Sequence, residues 1–389
     1  METHFELPRP ALSAMTLLED KGFEVYLIGG YVRDLLIGRI STDIDMATNA
    51  SAKAMIEIFK DFPLSLIGEK LGTVGVKIDG SWVEITTYRS ESTSSNYRHP
   101  DEVRFIGSLK DDVLRRDFTI NALALNIYGD LIDYTDGLID LKAKRIRAIG
   151  HPEERFAEDA LRILRALRFS AQLGFTIDTP TLQAMMANQD LVKTLPIERI
   201  AAELDKLIQA PHADSVLKTY PDLIRPWFDF DPAHLDQLSQ FHDRAHRVLC
   251  LLNHMDDDQI KAQLLALRFA KTFVKKVIDL KTLSLIVTQN RLTIKKLMGH
   301  YGTALIDQAV HYQSVMGIPG IDPTIYKILK TENPAVNLKM LELNGNDLTE
   351  LGYSGKQIRL ILDALLELVM TEKIENKKEA LIKAIQQLH

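Results

Sequence analysis

Val25-Tyr-Leu-Ile-Gly-Gly-Tyr-Val-Arg-Asp34, followed by Ser41-Thr-Asp-Ile-Asp-Met46, is the stretch on which the reading of this chain turns. The apolar run predicts a strand that enters a Gly29-Gly30 turn. A short helix then carries Arg33 and Asp34, and a second strand holds Asp43 and Asp45. Side chains at i and i+2 of a strand share a face, so the two carboxylates point the same way. Carboxylates paired beside a glycine turn suit divalent cations held next to a phosphate, as metal-assisted phosphoryl or nucleotidyl transfer requires. Asp-x-Asp alone is more often a polar strand face or a turn. Two neighbours shift the balance: N–H groups at a glycine turn and helix start can cradle a phosphate, and Arg33 can neutralise one.

The rest of the composition sets bounds. A chain of 389 residues has room for two to four domains. Its 26% charged and 46% hydrophobic residues are those of an ordinary soluble protein. A net charge of −6 excludes a uniformly basic nucleic-acid coat but permits a basic strip on an acidic protein. The single Cys250 excludes an internal disulfide framework and fits a reducing, cytoplasmic location. The N-terminal residues lack the basic start and apolar core of a signal peptide. No apolar run is long enough to cross a bilayer, so no membrane partner is expected. Oligomeric state is not legible, and a homodimer stays open.

The fold expected is α+β. Strand signals fill residues 1–150: a helix near 10–21, the strand at Val25–Ile28, an amphipathic helix at 51–60, and a hairpin over 73–87 turning at Asp79-Gly80. On its second strand Trp82, Glu84 and Thr86 share a face. Residues 89–102 are polar and read as a flexible loop, and a second hairpin is expected over 131–149, turning at Asp136-Gly137. From about 151 helical spacing dominates, with breaks at prolines such as Pro196, Pro211 and Pro323. The reading is a mixed or antiparallel sheet with helices, followed by an all-helical remainder.

Three motifs carry chemistry beyond the aspartate pair. Glu84 is a candidate third catalytic carboxylate if its strand lies beside that of Asp43 and Asp45, although an acid on a half-exposed strand is usually just solvated. Leu114-Arg-Arg-Asp-Phe-Thr-Ile-Asn-Ala122 reads as a nucleotide clamp, with Arg116 on phosphates and Asp117 on a ribose hydroxyl. The bland alternative is a helix N-terminus with a Thr cap. Glu158-Asp-Ala-Leu-Arg-Ile-Leu-Arg-Ala-Leu-Arg-Phe169 reads as a helix. At about 100° per residue, Asp159, Arg162, Arg165 and Phe169 fall on one arc, opposite Leu161, Leu164 and Leu167, with Arg168 at the border. An i,i+3 surface ion pair is the common outcome of such spacing and is worth little. The specific alternative is base recognition. Cytosine and adenine both present an amino donor beside a ring-nitrogen acceptor, which a carboxylate and a guanidinium complement. Uracil and guanine present the reverse and leave both side chains unsatisfied. Asp159 with Arg162 therefore suits CTP and ATP.

Taken in order, these blocks resemble the class II tRNA nucleotidyltransferase (CCA-adding enzyme) and bacterial poly(A) polymerase family. The ordered set is Gly29-Gly30-x-x-Arg33-Asp34 with Asp43-x-Asp45; Arg115-Arg116-Asp117-Phe118-Thr119-x-Asn121-Ala122; Asp133 with Asp136-Gly137 and Asp140-Leu141; Glu158-Asp159-x-x-Arg162; and Glu198-Arg199 with Glu203. It spans about the first 210 residues. The resemblance implies a nucleotidyltransferase head over 1–150, a helical neck over 151–210, a helical body over 211–310 and a tRNA-contacting helical tail over 311–389. It implies Mg²⁺ on Asp43 and Asp45, and Gly30, Arg33 and Arg116 on the triphosphate and sugar. Asp159 and Arg162 would serve as a protein template for the base, supported by Arg165 and Arg168 and braced by Glu198 and Arg199. The implied reaction adds C, C and A to a tRNA 3′ end. The loop Tyr88–Pro100 has full length, whereas members that add only CC look shortened there. Chain length and modest charge resemble the CCA-adding enzymes of low-GC Gram-positive bacteria, and poly(A) polymerases carry longer basic tails. A-adding enzymes and poly(A) polymerases remain the alternatives within the family.

The C-terminal half is less explicit. Leu351-Gly-Tyr-Ser-Gly-Lys-Gln-Ile358 places a glycine turn at the start of a helix, with Lys356 positioned for an RNA phosphate. His242-Asp243, near His246 and His254, raises a metal phosphohydrolase as a second function class, and an ordinary helix surface is the simpler reading. A small-molecule nucleotidyltransferase is a third. It would leave the Arg-Arg-Asp block and the Asp159/Arg162 segment without a purpose.

Overall fold

The computed structural model describes residues 5–91, 103–105 and 107–387. These form two compact units, Met1–Asp229 and Phe230–His389, so the expected body over 211–310 straddles the division.

The first unit is built on one mixed sheet. Its strands are β1 (Val25–Ile28), β2 (Ile44–Thr48), β3 (Leu64–Ser65), β4 (Thr73–Ile78), β5 (Ser81–Thr87), β8 (Leu123–Leu125) and β9 (Leu131–Asp133), in the spatial order β3-β4-β5-β2-β1-β8-β9. β6 (Arg89–Glu91) and β7 (Val103–Phe105) form a separate antiparallel ribbon at the feet of the loop expected over 89–102. Residues 92–102 of that loop, and with them most of Tyr88–Pro100, lie outside the described residues. Helices α1 (Arg9–Glu19), α2 (Gly30–Leu36), α3 (Ala52–Ile58), α4 (Leu109–Leu114) and α5 (Gly137–Lys142) complete the head.

β2 lies inside the sheet, antiparallel to β1 and parallel to β5, with Asp45 in register with Glu84. Ala47 and Ile28 turn toward the α4 residues Leu109 and Val113 in a buried cluster. Because alternate residues share a face, Asp45 emerges on this α4 side. The β4–β5 hairpin turns at Asp79 and Gly80 with φ of 49° and 83°, the positive values a two-residue hairpin turn requires.

The hairpin expected over 131–149 does not form. β9 ends at Asp133, α5 follows, and β10 (Arg145–Ile146) pairs in parallel with β11 (Thr176–Ile177) instead. The reason is local. The Asp133 carboxylate accepts the N–H groups of Gly137 and Leu138, both at 2.9 Å, which starts a helix where the Asp-Gly pair suggested a turn. Gly137 also packs against the backbone: a Cβ there would lie 2.2 Å from the Thr119 carbonyl oxygen.

Helices α6 (Pro152–Glu158), α7 (Leu161–Leu173), α8 (Thr179–Asn188) and α9 (Ile197–Ile208) continue the unit, and α7 packs along α9. Asp159 is not on a helix with Arg162 and Arg165. It stands in the break between α6 and α7 with extended dihedrals (φ −145°, ψ 98°). Its side chain accepts the Leu161 N–H at 3.0 Å, competing with the helix in the way that makes short acids favour helix starts. The face opposite Leu164 and Leu167 is not a solvated stripe either, because Arg162 and Arg168 are both buried.

The second unit is helical throughout its described residues apart from short turns and one isolated bridge. Leu343, Leu348, Leu365 and Leu381 centre one buried cluster of this unit. Asp243 caps the helix Arg244–Leu252 by accepting the N–H groups of Ala245 and His246, and its carboxylate pairs with Lys276. His246 is buried, with Nε2 2.8 Å from the Gln308 carbonyl oxygen. Asp243 and His246 are thus engaged in capping and packing, while His242 is exposed.

Candidate active site

The first unit contains a cleft of about 860 Å³. Asp43 and Asp45 line it from β2 and the residues before it, and Gly29, Gly30 and Arg33 from the turn into α2. Arg116 and Asp117 follow α4, and Asp159, Arg162, Arg165 and Arg168 line the far wall. The acidic pair and the residues expected from sequence to face the base therefore share one cavity. Among its described lining residues ten are Arg or Lys and five are Asp, so a basic cavity lies within an acidic chain. Glu84 is exposed on β5 beside Asp45 and is not part of the lining. Lys356 is exposed at the first position of the helix Lys356–Met370 in the second unit.

The acidic pair is electrostatically crowded. Burial, then the charges of Asp43 and Glu84, push the Asp45 carboxyl up to about 7, with Arg116 opposing. A cation relieves such crowding, and hard carboxylate oxygens are the donors Mg²⁺ prefers. Among the described residues no group of three or more His, Cys, Asp or Glu is arranged to hold a metal. Gly29 leaves the space between the acidic pair and the arginines open. Its φ is +75°, and a Cβ there would lie 3.4 Å from Arg116 Nη1 and 3.8 Å from Asp45 Oδ2.

The arginines are held by buried acids. Asp112, 1% exposed, accepts Arg115 Nε at 3.0 Å and Arg116 Nη2 at 3.0 Å. Burial would raise its carboxyl, and the Arg116 and Arg115 guanidiniums overcome that and hold it below the usual range. Arg116 Nε is buried with no partner, a donor left for a ligand. Asp112 was not singled out from sequence, although its i,i+3 and i,i+4 spacing to Arg115 and Arg116 was a usable signal. Asp117 accepts Arg165 Nε at 2.8 Å, Asn121 Nδ2 at 3.1 Å and its neighbour's N–H at 2.8 Å. Burial is its largest influence, and Arg165 and Asn121 outweigh it to keep the carboxyl low.

The far wall is braced from α9. Arg168 pairs with Glu203, and Arg199 Nη2 reaches Asp159 Oδ2 at 3.2 Å. Arg162 donates to Glu158 and to the backbone oxygens of Arg155 and Arg115. Asp159 and Arg162 each have their own partners and converge on the cleft from two different backbone segments. Phe169, missed as a site residue, has the guanidiniums of Arg33, Arg165 and Arg168 within 5.4 Å of its ring centroid.

Family models match most of the chain. A poly A polymerase head domain matches residues 25–147, a probable RNA- and SrmB-binding site of polymerase A matches 174–220, and tRNA nucleotidyltransferase domain 2 matches 239–385. The chain is 36% identical to the CCA-adding enzyme of Levilactobacillus brevis, over 98% of this chain and 97% of that one. It is 35% identical to that of Ligilactobacillus salivarius, over 98% and 96%. Among solved structures, the Bacillus stearothermophilus CCA-adding enzyme in complex with CTP superposes with a TM-score of 0.80 at 28% identity, covering 98% of this chain and 99% of the other. A Thermotoga maritima CCA-adding enzyme complexed with tRNA shares the fold, with a TM-score of 0.62 at 20% identity over 97% and 94%.

Proposed function

We propose how this cleft works from the premise that the chain belongs to the CCA-adding enzyme family of tRNA nucleotidyltransferases. It is an enzyme that adds the 3′-terminal CCA to tRNA from CTP and ATP without a nucleic-acid template. Full-length similarity to CCA-adding enzymes carries that conclusion. One cavity lined by both the acidic pair and Asp159/Arg162 supports the residue roles below.

In this reading Arg33, Arg116 and the backbone around Gly30 take the triphosphate. The RNA 3′-hydroxyl attacks the α-phosphate in line, and pyrophosphate leaves toward the arginines, where guanidiniums match phosphate geometry. The family depends on a divalent metal, which we take to be Mg²⁺ held by Asp43 and Asp45. When bound, such an ion polarises phosphate oxygens and favours the alkoxide of an attacking hydroxyl. Glu84, one strand away from Asp45, adds negative potential to the pair.

Asp159 accepts from the exocyclic amino group of cytosine or adenine, and Arg162 donates to the adjacent ring nitrogen. Its guanidinium has five donors, and the three protein contacts named above leave some for a base. Arg199 holds the carboxylate and Arg165 and Arg168 flank the nucleoside. Asp117 is committed to Arg165 and Asn121, so it reaches the ribose hydroxyl only with a remaining lone pair.

We assign the head to 1–150, the neck to 151–210, the body to 211–310 and the tail to 311–389, with Lys356 on RNA phosphate. No helix among the described residues is long and apolar enough to cross a membrane. We place the enzyme in the cytoplasm with its tRNA substrate. The test is product sequencing on tRNAs ending before, within and after the terminal triplet, with CTP and ATP supplied. Completion to CCA and a stop there is expected. Continued A addition would move the chain to the poly(A) class, and failure to add C would make it an A-adding enzyme.

A further inference from the structure

We propose that Asn121 is a positioning residue for the transfer reaction, locking the phosphate-side Arg33 and the base-side Arg165 into one unit. The proposal rests on the nucleotide-binding roles given above. Asn121 is 6% exposed and ends the one-turn 3₁₀ helix Thr119–Asn121. Its amide oxygen accepts Arg33 Nη1 at 2.7 Å, and its amide nitrogen donates to Asp117 Oδ1 at 3.1 Å. The other Asp117 oxygen receives Arg165. A continuous chain therefore runs Arg33, Asn121, Asp117, Arg165.

The residue type follows from the partners. A guanidinium only donates and an ionised carboxylate only accepts, so the bridging group must accept at one end and donate at the other. A neutral amide does both. A second carboxylate would repel Asp117, and a cation would repel Arg33.

Phe169 closes the other side. The guanidinium carbons of Arg33 and Arg165 lie 5.2 and 5.4 Å from its ring centroid, and Phe118 meets the ring edge-on at 5.8 Å. The face of an aromatic ring attracts cations. Two positive side chains from α2 and α7 are thus set at one separation. The turn beneath is pinned in its place, because Thr119 Oγ1 donates at 2.7 Å to Asp140, which is 0% exposed. A nucleotide held by phosphate at one end and base at the other needs that separation fixed, since a misplacement near 1 Å costs on the order of 10²-fold in rate.

The test is steady-state CTP incorporation into tRNA lacking its terminal CCA, with wild type, Asn121→Ala, Asn121→Asp and Phe169→Leu, and thermal midpoints recorded for each. Asn121→Ala is expected to lower kcat/KM for CTP about 100-fold while the KM for tRNA stays within about twofold. Asn121→Asp supplies a readout that a purely structural residue would not move. The groups facing position 121 are Arg33 from α2, Asp117 from its own turn and, through Asp117, Arg165 from α7. Protonated, the new carboxyl donates to Asp117 and accepts from Arg33 as the amide does. Ionised, it opposes Asp117 at about 3 Å. Its activity relative to wild type should fall at least about tenfold as pH rises through the ionisation of that carboxyl. Phe169→Leu, which keeps bulk and loses the ring face, should lose about tenfold in kcat/KM.

A folded Asn121→Ala enzyme within about threefold of wild type overturns the proposal, as does a pH-independent ratio for Asn121→Asp. If Asn121→Ala does not fold, the Asn121→Asp ratio decides. A wild-type protein that extends no tRNA would sink the reaction assigned above, whereas a working wild type with an indifferent Asn121 sinks only the positioning role.

Discussion

Replacing Asp45 by asparagine separates the cost of the acidic pair from its use. In the metal-free chain the Asp45 carboxyl is pushed from 3.8 to about 7 by burial and by the charges of Asp43 and Glu84. A rise of that size corresponds to about 4 kcal/mol between the two protonation states. Asp45 is partly open to the cleft, so solvent screening reduces the effect to about 2–4 kcal/mol. The sign is the reverse of the usual carboxylate case. Between about pH 4 and pH 7 the folded chain keeps a proton that the unfolded chain has released, so native stability declines as pH rises through that window and levels off above it. Asparagine keeps the shape and never ionises. In the presence of a chelator, the Asp45→Asn protein should match wild type near pH 4 and melt higher near pH 8. At about 2–4 °C per kcal/mol for a unit of this size, the gap near pH 8 should reach about 5–10 °C. Adding Mg²⁺ should raise the wild-type midpoint and leave the variant unmoved. The assay is thermal unfolding by circular dichroism across pH, with and without the ion. A gap of the same size at both ends of the pH range, or a variant that melts lower near pH 8, refutes the reasoning, as does equal stabilisation of both proteins by Mg²⁺.

Other consequences are direct. Asp43→Ala and Asp45→Ala should abolish transfer with the fold retained, and full activity in either removes the metal role. Asp159→Ala or Arg162→Ala should relax selection of C and A toward U and G, measured by incorporation with all four nucleoside triphosphates, and unchanged choice eliminates base templating by these side chains. Asp112→Ala leaves Arg115 and Arg116 without their buried partner, and such a loss costs about 3–5 kcal/mol; a lower midpoint with a raised KM for CTP is expected, and an unchanged KM would show that Arg116 orients itself. Gly137→Ala forces a Cβ against the Thr119 carbonyl, so soluble yield and melting temperature should drop sharply, and a silent substitution would mean that the turn relaxes.

Much of the head was legible because its signals are local. The β1–Gly-Gly–α2–β2 run, the hairpin at Asp79-Gly80 and the helical remainder each follow from short-range periodicity and turn chemistry, and all three form. The failed hairpin at 131–149 depended on a side chain that capped a helix start, a competition that strand alternation does not register. The placement of Asp159 on a helix failed for a related reason: its carboxylate caps α7 from outside.

What the amino-acid sequence determined by itself was the kind of chemistry. Residue types and their spacing named the acids, the arginines and the family, because donor and acceptor character belongs to each side chain wherever it sits. What only the tertiary structure decided was which groups meet. Arg33 and Asn121 are 88 positions apart, Asp117 and Arg165 are 48 apart, and Arg199 finds Asp159 across 40. Such pairs arise when sheet, turn and helix pack into one cleft, and no window along the chain contains both partners.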